Sequence, residues 1–505
     1  MKFKNLLTGV LAAAMLATAA TGCAPTPEGG GNDAPYADLK VSVSGGEIRG
    51  TETADGSVAV FKGIPYAAAP VGDLRFKSPK PVTEWEGELD CTLWGSCALQ
   101  NTPNTTGGIW TEEFQPDLNA EHYCSGNVFS EDCLYLNVWS SYKVYENKPV
   151  LVYIHGGAYN TGGSSAAIFD GMNVAKEDVV YVSINYRLGY LGFMATEALA
   201  AEIDGAGNYG ILDQIAALKW VKTNISAFGG NPENVTVMGQ SAGAGSVIGL
   251  IGSSKAEGLF QNAVTLSEEP YSGTWQTMSE RIGKITSGSY GGKKLTSLTA
   301  AELRSAPANT FKGLDISPSG PCIDGEIITG SYKSSVKKGT ANGVNLLCGN
   351  AVYDDCGHIS VFKDFISTGE FTVTENMLGQ HNALAKDRVL SGFETYVYMF
   401  GRNVPKATTG SADALGPQHS YELYYFLNNF STVSGRAWTD VDYELGAKML
   451  SYLVNFCKEG DPNGEGLTEW TPNAGDYHYM NFENAAEAKL MDETKTQAVK
   501  AHFGL

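Results

Sequence analysis

The residues best suited to chemistry sit in one short run, Gly239-Gln240-Ser241-Ala242-Gly243. It follows an apolar, β-branched stretch, Val235-Thr236-Val237-Met238. It precedes small and apolar residues, Ala244 to Ile251, that read as a helix. A strand that turns at once into a helix leaves little room at the elbow, so small residues must flank the serine. Such a turn lifts the hydroxyl out of the sheet and aims a helix N-terminus at it. Ser241 is therefore the expected nucleophile. A second run, His155-Gly156-Gly157-Ala158, follows Val150-Leu151-Val152-Tyr153-Ile154. Acyl transfer passes through a tetrahedral intermediate carrying a negative oxygen, and the N–H groups of a glycine-rich loop can bind it. Either run alone is a weak signal, since GxSxG arises by chance and a glycine pair is usually a turn. Their order and their flanking elements make the combination specific.

A serine nucleophile needs a base, and the base needs an acid to orient it. The chain has seven histidines: His122, His155, His358, His381, His419, His478 and His502. Around an elbow of this kind the order along the chain is Ser, acid, His. His122 and His155 precede the serine, and His155, inside the glycine loop, reads as structural. His419 lies in Gly416-Pro417-Gln418-His419-Ser420-Tyr421-Glu422-Leu423, a loop leading into a helix, which is the expected place for a base at the rim of a site. On position alone His358, His381 and His478 stay open. Asp354 and Asp355 follow the apolar run Leu346 to Cys348, and a carboxylate on the loop after a late strand can reach the histidine. A solvated loop would look the same, so the pair is not specific by itself.

These residues must be held by a large core. The 505 residues are 43% hydrophobic and 18% charged, which excludes global disorder. Continuous apolar runs at Val150–Ile154, Val179–Ile184 and Val235–Met238, with shorter ones at Val264–Leu266 and Leu346–Cys348, suit strands buried on both faces of a parallel sheet. Ile211, Ile215, Leu218 and Val221 recur at helical spacing between them. Alternating strands and helices predict an α/β doubly wound sheet. No internal repeat is visible, so residues 38–505 read as one catalytic domain. A formal net charge of −20 repels nucleic acid and anionic lipid, and argues against both as partners.

The N-terminus reads differently. Lys2 and Lys4 precede an apolar stretch from Leu6 to Ala20 that is short for a membrane span. Residues 1–23 are expected to be an export signal. Ala20-Thr21-Gly22-Cys23 resembles a bacterial lipobox, with Ala where Leu is usual, and predicts lipidation of Cys23. The rival is a plain signal peptide cut nearby. Residues 24–37, rich in Pro and Gly, read as a flexible tether. Export permits disulfides among the nine cysteines. Cys348 and Cys457 fall in strand-like and helix-like runs and read as small buried hydrophobes.

The whole pattern resembles the type-B carboxylesterase/lipase family, which includes the cholinesterases. Phe61-Lys62-Gly63-Ile64-Pro65-Tyr66-Ala67 is similar to that family's N-terminal block. Glu131-Asp132-Cys133-Leu134-Tyr135-Leu136-Asn137-Val138 is similar to its Cys signature, with Ser141 where Pro is common. Phe228-Gly229-Gly230-Asn231-Pro232-Glu233-Asn234 and the elbow resemble its Ser signature. Gly207-Asn208, Asp213-Gln214 and Gly460-Asp461-Pro462-Asn463-Gly464 are also typical.

The resemblance implies an α/β-hydrolase fold, with a large, mostly parallel central sheet flanked by helices and cholinesterase-like insertions. It implies Ser241 as nucleophile, His419 as base, and an oxyanion hole from the N–H groups of Gly157, Ala158 and Ala242. It also implies a disulfide between Cys97 and Cys133. The family acid is usually Glu in an Asp-Glu-Gly setting. Counting five residues from Gly349 selects Asp354, which is the expected acid, and aligning on the acidic pair gives Asp355 as the alternative. Where Ser-Gly is usual, this chain has Ser267-Glu268-Glu269, which brings two carboxylates toward the pocket unless they turn away into ion pairs.

The expected activity is hydrolysis of small to medium carboxylic esters through an acyl-enzyme. No HExxH, Walker A or dinucleotide fingerprint occurs, so neither a metal nor another cofactor is expected. Lipase, thioesterase and amidase activities are close rivals. A non-catalytic binding module, as in relatives that lost the nucleophile, is disfavoured because Ser241 and its loop are intact.

Overall fold

The computed structural model describes residues 38–102, 112–142, 146–268, 275–284, 287–314, 320–337, 342–352, 354, 373–389, 391–405, 416–432 and 435–497. All belong to one unit, Ala34–Leu505. The expected signal, tether and Cys23, together with Asp355, Glu269, His358 and His502, lie outside the described residues.

Eleven strands form the central sheet. In chain order they are β1 (Thr51–Glu52), β2 (Val58–Pro65), β3 (Tyr135–Ser141), β4 (Lys148–Ile154), β5 (Val180–Ile184), β6 (Gly230–Gln240), β7 (Asn262–Leu266), β8 (Asn345–Ala351), β9 (Thr395–Phe400), β10 (His478–Phe482) and β11 (Ala486–Leu490). Their spatial order is β11-β10-β9-β8-β7-β6-β4-β5-β3-β2-β1. From β10 across to β5 every pair is parallel, and the strands outside that block are antiparallel. All residues of β4, β5, β7 and β9 are buried, which is why these runs are continuously apolar instead of alternating.

Two apolar layers cover the sheet, and side-chain alternation assigns residues to each. Val150, Val152 and Ile154 of β4 join Ile211, Ile215 and Leu218 of helix α1 (Tyr209–Asn224). Leu151 and Tyr153 join the other layer. Other helices include α2 (Ala242–Ile251), α3 (Val373–Val389), α4 (Leu423–Phe426) and α5 (Asp440–Glu459). Leu445, Met449 and Leu453 of α5 pack in the second layer. Burial of this kind stabilises by roughly 25 cal/mol per Å² of apolar surface.

Strand β4 lies between β5 and β6, so the chain leaves it to one side and later returns on the other. Such a reversal opens a crevice beyond the carboxyl ends of the strands, where ligands bind in open α/β sheets. Strand β6 is longer than its apolar run suggests. It begins at Gly230, and its register against β4 shifts between Gly230 and Val235, a stretch holding Pro232, which has no N–H to donate.

The expected Cys97–Cys133 disulfide is not present. Both residues are buried free thiols. The Cys97 Sγ instead lies 3.6 Å from Ser165 Oγ and 3.9 Å from the Tyr123 hydroxyl. Cys133 sits in the main apolar layer, where burial keeps its thiol well above the ordinary range. Cys348 and Cys457 are buried thiols pushed up to about 12 by loss of solvent.

Candidate active site

Ser241 stands between β6 and α2 with φ 56° and ψ −127°, a left-handed backbone rare for a residue with a side chain. The turn is forced by contacts on both sides. A Cβ on Gly239 would stand 2.2 Å from the Gly243 carbonyl oxygen, and one on Gly243 would stand 2.0 Å from that of Ile154. Only glycine lets these backbones close. The Ser241 N–H donates to Leu266 O at 2.9 Å, tying the elbow to the end of β7. Ser241 is the N-cap of α2, so the positive end of that helix faces it.

The loop after β4 touches this elbow. A Cβ on Gly156 would be 3.0 Å from the Ser241 Cβ. Gly157 (φ 113°) and Ala158 (φ 52°) turn so that Gly157 O accepts from the Asn160 and Thr161 N–H groups, both at 3.0 Å. Among the described residues, no backbone carbonyl accepts from the N–H of Gly157 or of Ala158. With the Ala242 N–H at the start of α2, this is a set of donors beside the serine. His155 is structural here. Its ring stacks on Tyr186 at 4.7 Å and its Nδ1 bonds Gly156 O at 2.7 Å. Burial lowers it to about 4, so it is neutral.

The structure brings Asp354 to His419. The carboxylate follows the end of β8, and its Oδ1 accepts from His419 Nδ1. Burial alone would raise the Asp354 carboxyl. The charge of His419 and hydrogen bonds from His419 and Asn350 outweigh it and hold the group below the usual carboxylate range. Burial alone would lower His419, and the Asp354 charge and hydrogen bond reverse that and raise it. The other ring nitrogen, Nε2, meets the Gln240 amide at 3.2 Å, one residue before the serine. Of the remaining histidines, His122 pairs with Asp117 at 2.5 Å on the exposed loop, and His478 lies 2.9 Å from Asp476. His381 is buried and reaches Asp354 through Asn350.

Several groups around the base had no signal in the sequence. Gln240 is one. Glu422, three residues after His419, accepts from Ser267 Oγ and is fully buried. Burial, and then the negative charge of Asp354, push its carboxyl up to about 7. Glu268 does turn toward the site. Its Oε1 is 3.6 Å from where a Gly245 Cβ would stand, and its charge helps raise both Tyr159 and His419. The typical Asn208 and Gln214 are braces: Asn208 Nδ2 donates to Cys322 O at 2.8 Å, and Gln214 Nε2 to Ser246 Oγ of α2 at 2.9 Å. Arg187 and Asp213 form a buried ion pair at 2.7 Å. A groove of about 700 Å³ lined by residues including Lys62, Trp94, Asp117 and His122 is separate, since Ser241, His419 and Asp354 do not line it.

Fold and site together define a hydrolase-type α/β scaffold with a serine elbow. The carboxylesterase family model matches residues 37–375 and 372–502, and the chain belongs to the carboxylesterase family. Its sequence is 36% identical over 324 residues to the para-nitrobenzyl esterase of Bacillus subtilis (strain 168). That alignment spans 61% of this chain and 61% of the length of that protein. A solved structure of a PNB esterase matches with a TM-score of 0.72 at 25% identity, covering 91% of this chain and 99% of that one. The architecture is the α/β-hydrolase fold.

Proposed function

We propose that the protein is a serine carboxylic-ester hydrolase in which Ser241 is the nucleophile, His419 the base and Asp354 the acid. One observation carries the reading: the buried Asp354 carboxylate accepts from His419 Nδ1, which leaves Nε2 bare and turned to the elbow residue next to Ser241. When an ester enters, His419 Nε2 releases the Gln240 amide and takes the Ser241 proton as Oγ attacks the carbonyl carbon. The oxyanion is met by the N–H groups of Gly157, Ala158 and Ala242, worth about 3 kcal/mol per donor in comparable sites. His419 then protonates the leaving alcohol. Water, deprotonated by the same nitrogen, releases the acid and restores the serine.

The family and the esterase relative support this chemistry. The name of that relative makes p-nitrobenzyl esters the first substrates to try, with p-nitrophenyl esters as general chromogenic probes. Ser241→Ala is expected to lower hydrolysis of a p-nitrophenyl ester at least ~10³-fold while the circular dichroism spectrum stays unchanged. A folded variant with near-normal turnover overturns the assignment. The same proposal places the enzyme outside the cytoplasm, anchored through lipid on Cys23. The charged n-region, the short apolar segment and Gly22-Cys23 support it. Membrane-fraction protein that Cys23→Ala releases would agree, and a wild-type chain that is fully soluble and starts elsewhere would not.

A further inference from the structure

A polar chain continues behind the acid, away from the serine. Asp354 Oδ2 accepts from Asn350 Nδ2 at 2.6 Å, and Asn350 Oδ1 meets His381 Nε2 at 2.5 Å. Asn350 is on β8 and His381 on α3, which packs against β8 and β9. All three side chains are at least nine-tenths buried. His381 Nδ1 has no hydrogen-bond partner among the described residues.

The chemistry of one end dictates the rest. An ionised carboxylate only accepts. Asn350 must therefore turn its NH2 to Asp354, which leaves its carbonyl oxygen toward α3. That oxygen only accepts, so His381 Nε2 must carry the hydrogen and Nδ1 must be bare. The ring is neutral: burial lowers it to about 4, against the opposing pull of the Asp354 charge. A neutral Nε2–H donor at this place has one consequence. It locks the amide of Asn350, whose flipped orientation would set an oxygen against the carboxylate.

We infer that His381 is a positioning residue for catalysis, acting through Asn350 to hold a permanent donor on the Asp354 Oδ2 and so to fix the orientation and strength of the acid. The inference rests on Asp354 being the triad acid. Removing the ring's donor frees the Asn350 amide, and Oδ2 loses its dedicated N–H. The carboxylate then becomes more basic and attracts the His419 imidazolium more strongly, because a hydrogen bond to the charged form lowers a carboxyl pKa and its loss raises it. The groups facing His419 are Asp354, Glu422 and Glu268, and the charged group facing His381 is Asp354. The acid limb of kcat/KM, which reports neutral His419, should therefore move to higher pH.

The test is a cycle of His381→Leu, Asn350→Ala and the double variant, with His381→Gln as the conservative control, on one p-nitrophenyl ester. His381→Leu is expected to lower kcat about 10- to 100-fold with KM within about twofold, and to move the acid limb up. His381→Gln, whose amide can still donate to Asn350, should recover most of the loss. In the Asn350→Ala background His381→Leu should cost less than about twofold. Wild-type kcat and pH profile in folded His381→Leu, or the same loss in both backgrounds, overturns the inference. If His381→Leu does not fold, Asn350→Ala decides alone: it must show the lowered kcat and the shifted limb, and wild-type behaviour overturns the inference. Asp354→Asn is measured alongside. If it is crippled while the His381 and Asn350 variants are not, only this inference falls, whereas full activity in Asp354→Asn overturns the triad beneath it.

Discussion

Replacing Asp354 with Asn is the sharpest test of how the site is wired. The carboxylate has two donors pointed at it, His419 Nδ1 and Asn350 Nδ2, and it is almost fully buried. An amide has one oxygen and one NH2, so it can satisfy only one of them. If its NH2 faces His419, the imidazole must carry its hydrogen on Nε2 and cannot take the proton of Ser241. If its NH2 faces Asn350, two donors oppose each other unless Asn350 flips, which then opposes the His381 Nε2–H. In both arrangements the imidazolium formed during attack has lost its counter-charge. Two unit charges ~4 Å apart at an effective dielectric constant of ~20 attract by ~4 kcal/mol, or about 10³-fold in rate. A loss in kcat of roughly 10²- to 10⁴-fold is therefore expected, with KM little changed. The assay is steady-state hydrolysis of a p-nitrophenyl ester, with folding checked by circular dichroism and Asp355→Asn as the comparison, expected to cost under about tenfold. Full turnover in folded Asp354→Asn, or a crippled Asp355→Asn beside an active Asp354→Asn, would refute the reasoning.

Three other changes probe the surroundings. Gln240→Glu sets a carboxylate where an amide now meets His419 Nε2 at 3.2 Å. It should raise the base and move the acid limb of kcat/KM up by about one pH unit, and an unmoved limb would remove Gln240 from that role. Glu422 has a carboxyl near 7 in the folded protein against 4.5 for the free group. Because the folded pKa is the higher one, the folded state holds an extra proton between those values, and stability falls as pH rises through that window. Glu422→Gln should abolish this fall, so its Tm relative to wild type should rise between pH 5 and 7. Parallel Tm curves would contradict the buried carboxyl. Gly243→Ala would force its Cβ to within 2.0 Å of Ile154 O and 2.9 Å of His155 O. The strain should cost about 1–3 kcal/mol of stability and displace the oxyanion loop, and a variant with unaltered Tm and kcat would show that the elbow tolerates a methyl group.

The amino-acid sequence determined the scaffold by itself, because its signals are local. Continuous, mainly apolar runs at 150–154, 179–184, 235–238, 264–266 and 346–348 each became an inner parallel strand, since a strand buried on both faces has no polar side to show. The serine elbow was legible for the same reason: Gly239 and Gly243 flank Ser241 within five residues, and the steric demand that requires them acts over that distance. What lies between distant segments was not legible. The choice of Asp354 over Asp355 rests on a five-residue count along one loop, and only the meeting of β8 with the loop at 419 sets Asp354 against the ring across 65 residues of chain. The pairs Ser267–Glu422 and Asn350–His381 join residues from different strands, loops and helices, and no spacing announces them. Cys97 and Cys133 went the other way. Each is buried in its own packing as a free thiol, and the bond expected from resemblance is not present. Only tertiary packing decides which polar groups are stripped of water together. That choice sets the protonation of Glu422 and the pull of Asp354 on His419, because a hydrogen bond or a charge gains its strength from what surrounds it.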